Sequence, residues 1–129
     1  PQHLAVKNAE NWHKLELVAT AYNSVEAQTD STPDIAAWGD KLKPGMRAIA
    51  VSRDLLDMGL TRGSRVWISG LGSGLEGEYV VLDKMNKRWK KRIDVYMGED
   101  VRAALKFGKR DVVLRYQQAT QALILADNS

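Results

Sequence analysis

The order of apolar and polar residues predicts a chain built mainly of short β-strands. Six apolar or alternating runs have strand length: 17–22 (LVATAY), 46–52 (MRAIAVS), 65–69 (RVWIS), 78–83 (EYVVLD), 92–97 (RIDVYM) and 111–116 (DVVLRY). Glycine, proline or charged residues separate them. Closing six short strands into a small barrel would bury their alternate faces and remove exposed strand edges. We therefore predict a mainly β fold, a small six-stranded barrel.

Short helices are predicted around this barrel. Residues 3–16 (HLAVKNAENWHKLE) allow an amphipathic helix, so we predict a helical extension over 1–16, a barrel domain over 17–116 and a tail over 117–129. A second helix is predicted before the last strand, in GEDVRAALKFGKR, with acids in its first turn and Gly108 at its end.

Two further segments connect the predicted strands. RDLLDMGL allows one helical turn, closed by Gly59. Residues 23–44 contain polar, glycine and proline residues and predict a long irregular connection, of the kind that is often functional.

Composition narrows the class of protein. The chain has 129 residues, enough for one domain with a single core, and its 44% hydrophobic and 27% charged content is typical of globular proteins. No apolar run approaches the roughly 20 residues that span a bilayer, so we expect no transmembrane segment. The absence of cysteine excludes disulfides and thiolate zinc sites. His3 and His13 belong to no ligand-spaced cluster, and we expect neither metal nor cofactor.

The charge and the first residue bear on partners and location. The net charge is +3 and the pI is near 9.2, which favours an anionic partner such as nucleic acid or an acidic cell-wall polymer. The chain begins at Pro1 rather than Met, and we take this to indicate that a leader has been removed. We expect a bacterial periplasmic or other cell-envelope protein. The oligomeric state stays open.

One stretch, VVLDKMNKRWKKRIDVYMG at 80–98, contains the candidate chemistry. Asp94 follows Asp83 by eleven positions, which suits two strands joined by a loop. A carboxylate pair on one face of the barrel could keep one member protonated as a general acid. The alternative is structural: Asp83 caps a turn and Asp94 pairs with Arg92 or Lys91.

The loop between these acids is strongly basic. Six cationic residues surround Trp89: Lys84, Lys87, Arg88, Lys90, Lys91 and Arg92. The combination allows nucleic-acid binding, sugar stacking on Trp89 in a groove for an anionic glycan, or a merely solvated loop. No nucleic-acid-binding motif accompanies the loop, so we do not expect a nucleic-acid partner. The glycines at 70–77 match no phosphate-binding pattern and predict a turn.

Three stretches together resemble a known family. They are VATAYNS (18–24), AAWGDKLKPGMRAIAVSRDLL (36–56) and VVLDKMNKRWKKRIDVYMG. They are similar to the three-aspartate (3D) domain of membrane-bound lytic transglycosylase A and of the small stationary-phase-survival transglycosylases. The similarity covers about residues 17–116, and its most specific part is RIDVYMG with an acid eleven positions before its aspartate.

The resemblance implies a double-psi β-barrel that cleaves the N-acetylmuramic acid to N-acetylglucosamine β-1,4 bond of peptidoglycan without water. It assigns the general acid and base to Asp94 and the supporting carboxylate to Asp83. The other residues expected to contact the glycan are Thr20, Tyr22, Ser52, Asp54, Lys84, Asn86, Trp89 and Arg92.

This chain departs from the family pattern at two places. Ser52 stands where the family's first aspartate usually follows the IAV strand, and Lys84, Met85 and Asn86 replace a Thr-Gly-Gly-like turn. A non-catalytic barrel that binds glycan strands is therefore a second hypothesis. Nucleic-acid binding through the basic loop is the third.

Overall fold

The computed structural model describes residues 12–24 and 36–117. Its elements are β1 (Trp12–Tyr22), β2 (Ala48–Val51), α1 (Arg53–Leu56), β3 (Arg65–Ser69), β4 (Gly77–Lys84), β5 (Arg92–Tyr96), α2 (Val101–Phe107) and β6 (Arg110–Gln117). The strands close in the order β1-β5-β2-β4-β3-β6. The prediction of a small six-stranded β-barrel with short helices is therefore confirmed.

The strand pairing has an internal symmetry. Strands β1 and β5 pair in parallel, as do β2 and β4, and every other neighbouring pair is antiparallel. Exchanging β1, β2 and β3 with β4, β5 and β6 leaves this pattern unchanged. Each half also places a short helix before its third strand, α1 in one and α2 in the other. The arrangement agrees with the double-psi barrel that the resemblance implies.

The barrel is filled by the alternate, inward-facing residues of its strands. Ile49, Val51, Ile93 and Val95 are buried in one continuous apolar cluster, which also takes in Phe107 of α2. Shortening such a side chain to alanine costs about 2–5 kcal/mol of unfolding free energy. The core therefore fixes which residues of β2 and β5 face outward, including Asp94 between Ile93 and Val95.

The predicted amino-terminal helix is wrong for residues 12–16. These residues continue β1, and they pair with β6 from Trp12 opposite Gln117 to Glu16 opposite Val113. A long antiparallel ladder satisfies the backbone of this segment, and such tertiary pairing overrides a weak local preference for helix. Gln117, assigned to the tail, likewise belongs to β6. Residues 1–11 and 118–129 lie outside the described residues.

The two helices begin and end near expected residues. The Asp100 side chain accepts a hydrogen bond from the Ala103 amide at 2.9 Å, so Asp100 is the N-cap of α2 and not part of its first turn. Gly108 at the other end has a φ of 63°, a conformation that favours glycine. In the long connection, 36–45 forms turns and 25–35 lies outside the described residues. No helix among the described residues is long and apolar enough to cross a membrane.

Candidate active site

Four residues lie side by side at one level of the barrel wall. Thr20 of β1 is opposite Asp94 of β5, Asp94 is opposite Ala50 of β2, and Ala50 is opposite Asp83 of β4. We call these four the acid row. Because directly paired residues of a sheet share a face, all four point to the same side. The structure thus brings together the two acids that the sequence singled out, with Ala50 between them.

The acid row lies on the outer face of the barrel. Ile49 and Val51 belong to the core cluster, so the intervening Ala50 points outward. Neighbouring strands are about 4.8 Å apart, which puts the Cα atoms of Asp83 and Asp94 roughly 10 Å apart. Because the Ala50 side chain is only a methyl group, it leaves a shallow groove between the two acids.

A β-bulge directs Asp83 to this face. Val81 is opposite Ile49, but the next residue of β2, Ala50, is opposite Asp83, so Leu82 is the extra residue of β4. Without the bulge, Leu82 would face Ala50, and the Asp83 side chain would point toward the core. One additional residue in the strand therefore decides that both acids belong to the same site.

The carboxyl group of Asp94 has a perturbed protonation equilibrium. Burial raises its pKa to about 6, and the charge of Asp83 acts in the same direction. A hydrogen bond from the Thr20 hydroxyl to Asp94 Oδ1, 3.0 Å long, and the positive charge of Arg92 oppose the rise. A substantial fraction of Asp94 is therefore protonated in mildly acidic solution, as a general acid requires.

Asp83 is held by several donors. Its Oδ1 accepts hydrogen bonds from the amides of Ala37 at 2.8 Å and Lys84 at 2.9 Å. The Tyr22 hydroxyl donates to its Oδ2 at 3.4 Å. The turn-capping role considered from the sequence is thus present, together with a position in the acid row.

Tyr22 is bonded to Asp83 through its hydroxyl, which lies within the electrostatic influence of Asp94. Burial raises the pKa of its hydroxyl, and the negative charges of Asp83 and Asp94 raise it further. The hydroxyl therefore keeps its proton and acts as a donor over the physiological range. Its ring also packs against Tyr96, with centroids 5.6 Å apart.

Ser52 and Asp54 have structural contacts at the start of β5. Ser52 is fully buried, with 0% exposure, and its Oγ accepts a hydrogen bond from the Arg92 amide at 3.0 Å. Asp54 accepts one from the Lys91 amide at 2.9 Å. Burial opposes ionisation of Asp54, but bonds from Ser52 and Lys91 and the charge of Lys90 outweigh it and lower the pKa. The structure does not bring these two residues into the acid row.

The basic loop is organised by its own side chains. The Arg92 guanidinium lies 4.2 Å from the centre of the Trp89 ring, and that of Arg88 lies 4.6 Å from it. Asn86 Oδ1 accepts a hydrogen bond from the Arg88 amide at 3.0 Å, which closes a local turn. Trp89, expected to stack on a sugar, is thus in contact with cations of its own loop.

Some parts of the site were missed from sequence. Ala37 donates to Asp83, and the ammonium group of Lys84 lies 5.7 Å from the centre of the Trp38 ring. Both Ala37 and Trp38 come from the long connection after β1, which was predicted to be irregular and whose stretch 36–56 contributed to the resemblance, but neither residue was singled out as part of the site. Ala50 is the second alanine of AIAV, but its position between the two acids follows only from strand pairing.

No metal centre is found in the part of the chain that the structure describes, since no group of three or more His, Cys, Asp or Glu residues converges there. Neither the protein-family models nor the curated proteins compared with this chain give a match.

Proposed function

We propose that this protein is a peptidoglycan lytic transglycosylase in which Asp94 is the general acid and base. The observation that supports the proposal most directly is a half-buried carboxyl group with a pKa near 6, on the outer face of the barrel and on the same face as a second acid two strands away. A carboxyl of this kind can donate a proton near neutral pH and then take one back. The periplasm or another part of the bacterial cell envelope is the corresponding location.

The reaction needs one proton donor that later becomes an acceptor. Protonated Asp94 gives its proton to the glycosidic oxygen, and the bond between that oxygen and C1 of the muramic residue breaks. The C6 hydroxyl of the same residue attacks C1, and the Asp94 carboxylate removes the hydroxyl proton. A 1,6-anhydro ring forms, no water is consumed, and Asp94 regains its starting proton.

The neighbouring residues supply orientation and electrostatics. Thr20 donates to Oδ1 of Asp94 and so fixes the rotation of that carboxyl group. Asp83 favours the protonated form of Asp94 through its negative charge. Because two backbone amides and the Tyr22 hydroxyl already bond to it, Asp83 suits the role of a fixed charge better than that of a mobile nucleophile.

Mass spectrometry of soluble products from purified peptidoglycan tests the proposal. The wild-type protein is expected to release 1,6-anhydro-muramyl products, and Asp94→Asn is expected to lower their yield about 100-fold or more, since general acid–base groups contribute at least that much. Asp57→Asn is the matched control, because Asp57 is exposed and lies outside the acid row. Circular dichroism verifies that both variants fold.

The other outcomes separate the remaining hypotheses. An unchanged yield from Asp94→Asn would remove Asp94 from the chemistry, and products that end in a reducing muramic acid would mean a hydrolase. Retention of the protein on cell-wall sacculi without release of products would favour a glycan-binding barrel. One observation favours that second candidate: Ser52, at the position of the family's first aspartate, is buried and bonded to backbone.

A further inference from the structure

A second polar site lies where β1, β5 and β6 meet. A cavity of about 300 Å³ opens there, lined by Val18, Lys90, Arg92, Lys109, Arg110 and Asp111. Four of these residues are basic and one is acidic, so the lining is cationic. Lys90 and Lys109 are exposed, which leaves their ammonium groups available to a ligand. None of these lining residues belongs to the acid row.

Arg92 is the buried cation of this cavity. Its exposed fraction is only 9%, and no described residue accepts a hydrogen bond from its Nε. Buried guanidinium groups are normally paired, because an unpaired charge out of water is costly. Contact with the Trp89 ring holds the group in place but offers no acceptor oxygen. An anion in the cavity would provide one.

Arg110 and Asp111 contribute differently. The Arg110 guanidinium donates to the carbonyl oxygens of Phe107 and Leu71, so its geometry is already set by backbone. Asp111 is the one acid among the described residues of the lining, and it lies opposite Val18 on β1. The cations that remain for a ligand are Arg92, Lys90 and Lys109.

The cavity adjoins the acid row along the same strands. Arg92 is opposite Val18, and Asp94 is opposite Thr20, two residues further along both strands. Residues two apart on a strand share a face and lie roughly 7 Å from each other. A ligand group held by Arg92 would therefore belong to the same sugar as the bond at Asp94, or to a substituent of that sugar.

We propose that Arg92, Lys90 and Lys109 form an anion subsite that binds a carboxylate of the muramic residue. This deepens the proposed function, on which the identity of the glycan rests. The lactyl group of muramic acid, or the peptide attached to it, carries the only negative charges near a backbone of otherwise neutral sugars. Guanidinium and ammonium groups bind carboxylates through charge-assisted hydrogen bonds. The subsite would thus distinguish a muramic strand from a neutral β-1,4 glycan.

The anion subsite is tested first with inorganic phosphate as the probe. Binding is measured from the amide NMR shifts of the intact chain. Phosphate is expected to shift the amides of Lys90, Arg92 and Lys109 saturably. The double variant Lys90→Gln/Lys109→Gln is expected to bind it about tenfold more weakly, because two charge-assisted contacts are lost. The control Lys14→Gln/Lys106→Gln removes the same charge from exposed positions outside the cavity. Absence of saturable shifts, or equal weakening by the control, would overturn the subsite.

The source of the carboxylate is tested with three glycans on the Asp94→Asn background, where turnover is expected to be at least about 100-fold slower. They are a neutral N-acetylglucosamine oligomer, glycan strands stripped of peptide, and strands that retain peptide. Preference for stripped strands over the neutral oligomer identifies the lactyl carboxylate, and preference for peptide-bearing strands alone identifies the peptide. Either preference is expected to fall about tenfold in Lys90→Gln/Lys109→Gln. Equal binding of all three glycans would overturn carboxylate recognition.

The two proposals fail separately. Phosphate binding at the cavity without release of anhydro products would leave the anion subsite standing and remove the transglycosylase activity. Product release that is unaffected by Lys90→Gln/Lys109→Gln, together with no phosphate shifts, would support the transglycosylase activity and remove the anion subsite.

Discussion

The two halves of the barrel share a strand pattern but divide the chemistry of the site. Under the exchange of β1–β3 with β4–β6, Thr20 takes the place of Asp83, and Ala50 takes the place of Asp94. The second half supplies both acceptor carboxylates. The first half supplies the donors that hold them, the hydroxyls of Thr20 and Tyr22. A symmetric strand order therefore gives an asymmetric site through side chains and through the bulge at Leu82.

The connections between strands reinforce this difference. In the first half, the described part of the segment between β1 and β2 reaches β4, where its Ala37 amide donates to Asp83. In the second half, the equivalent connection, 85–91, is short and strongly basic. One connection thus organises an acid of the row, and the other contributes Lys90 to the cationic cavity. The first half therefore helps to complete the acid row on the second half, whereas the cationic cavity is formed mostly by the second half itself.

Ala50→Asp is the strongest way to break the comparison, because it gives the first half the acid that the second half has. A third carboxylate, buried between Asp83 and Asp94, is expected to cost about 3 kcal/mol or more of unfolding free energy at neutral pH. Ala50→Asn adds similar volume without charge and is the control in urea denaturation. The difference in unfolding free energy between the two variants should disappear below about pH 4, where carboxyl groups are protonated. A gap that is independent of pH would contradict a charge effect.

Asp94→Asn removes the acid and should give a smaller, opposite change in stability. The pKa of Asp94 in the folded protein, about 6, exceeds its ordinary value of 3.8, so the folded state binds the proton more tightly than the unfolded state. The wild-type protein should therefore gain stability as the pH falls from 7 to 4 and lose it as the pH rises through 6.

The variant lacks this titration. At pH 7 it should be more stable than the wild-type protein by about 2 kcal/mol, and the difference should shrink towards pH 4. Urea denaturation across this range measures it. Asp57→Asn is expected to follow the wild-type profile, and parallel profiles for the wild-type protein and Asp94→Asn would argue against a raised pKa.

Thr20→Val should have the smallest effect, because it removes a donor and leaves the acid. The Thr20 hydroxyl lowers the pKa of Asp94, so its loss should raise that pKa above about 6 and shift the alkaline limit of activity to higher pH. The hydrogen bond itself is worth about 1 kcal/mol of stability. NMR titration of the Asp94 carboxyl carbon measures the shift. Thr20→Ser retains the hydroxyl and should restore the wild-type titration; the same midpoint in all three proteins would exclude the contact.

Local pattern predicted the strands whose residues alternate cleanly. RVWIS was expected over 65–69, and β3 spans Arg65–Ser69, because its buried and exposed residues alternate in register with both neighbours. The same reasoning failed at 12–16, where the spacing of Trp12 and Leu15 favoured a helix. Pairing with β6 supplies a ladder of backbone hydrogen bonds that no window of local sequence contains. The symmetry of the strand pairing could not be predicted from the sequence either, since two halves with the same topology need not have similar residues.

The candidate site, like the fold, was predicted only in part from the sequence. The sequence singled out Asp83 and Asp94, because acids inside apolar runs of strand length are uncommon. It did not reveal that Ser52 bonds to the Arg92 amide, or that Arg92 itself is buried beside Trp89. Ser52 and Arg92 are forty positions apart, so spacing carries no information about their bond. Trp89 and Arg92 are close in the chain, but the burial of Arg92 depends on the packing of the closed barrel.

The sequence by itself determined the β character, the number of strands and the identity of the two acids, because alternation and composition are local properties. The tertiary structure decided that these acids share a face. The bulge at Leu82 turns Asp83 outward, and the pairing of β5 with β1 and β2 sets Asp94 between Thr20 and Ala50. It also decided the protonation of Asp94, because a pKa near 6 arises from burial and from a charge on another strand. Register and burial exist only once the barrel has closed.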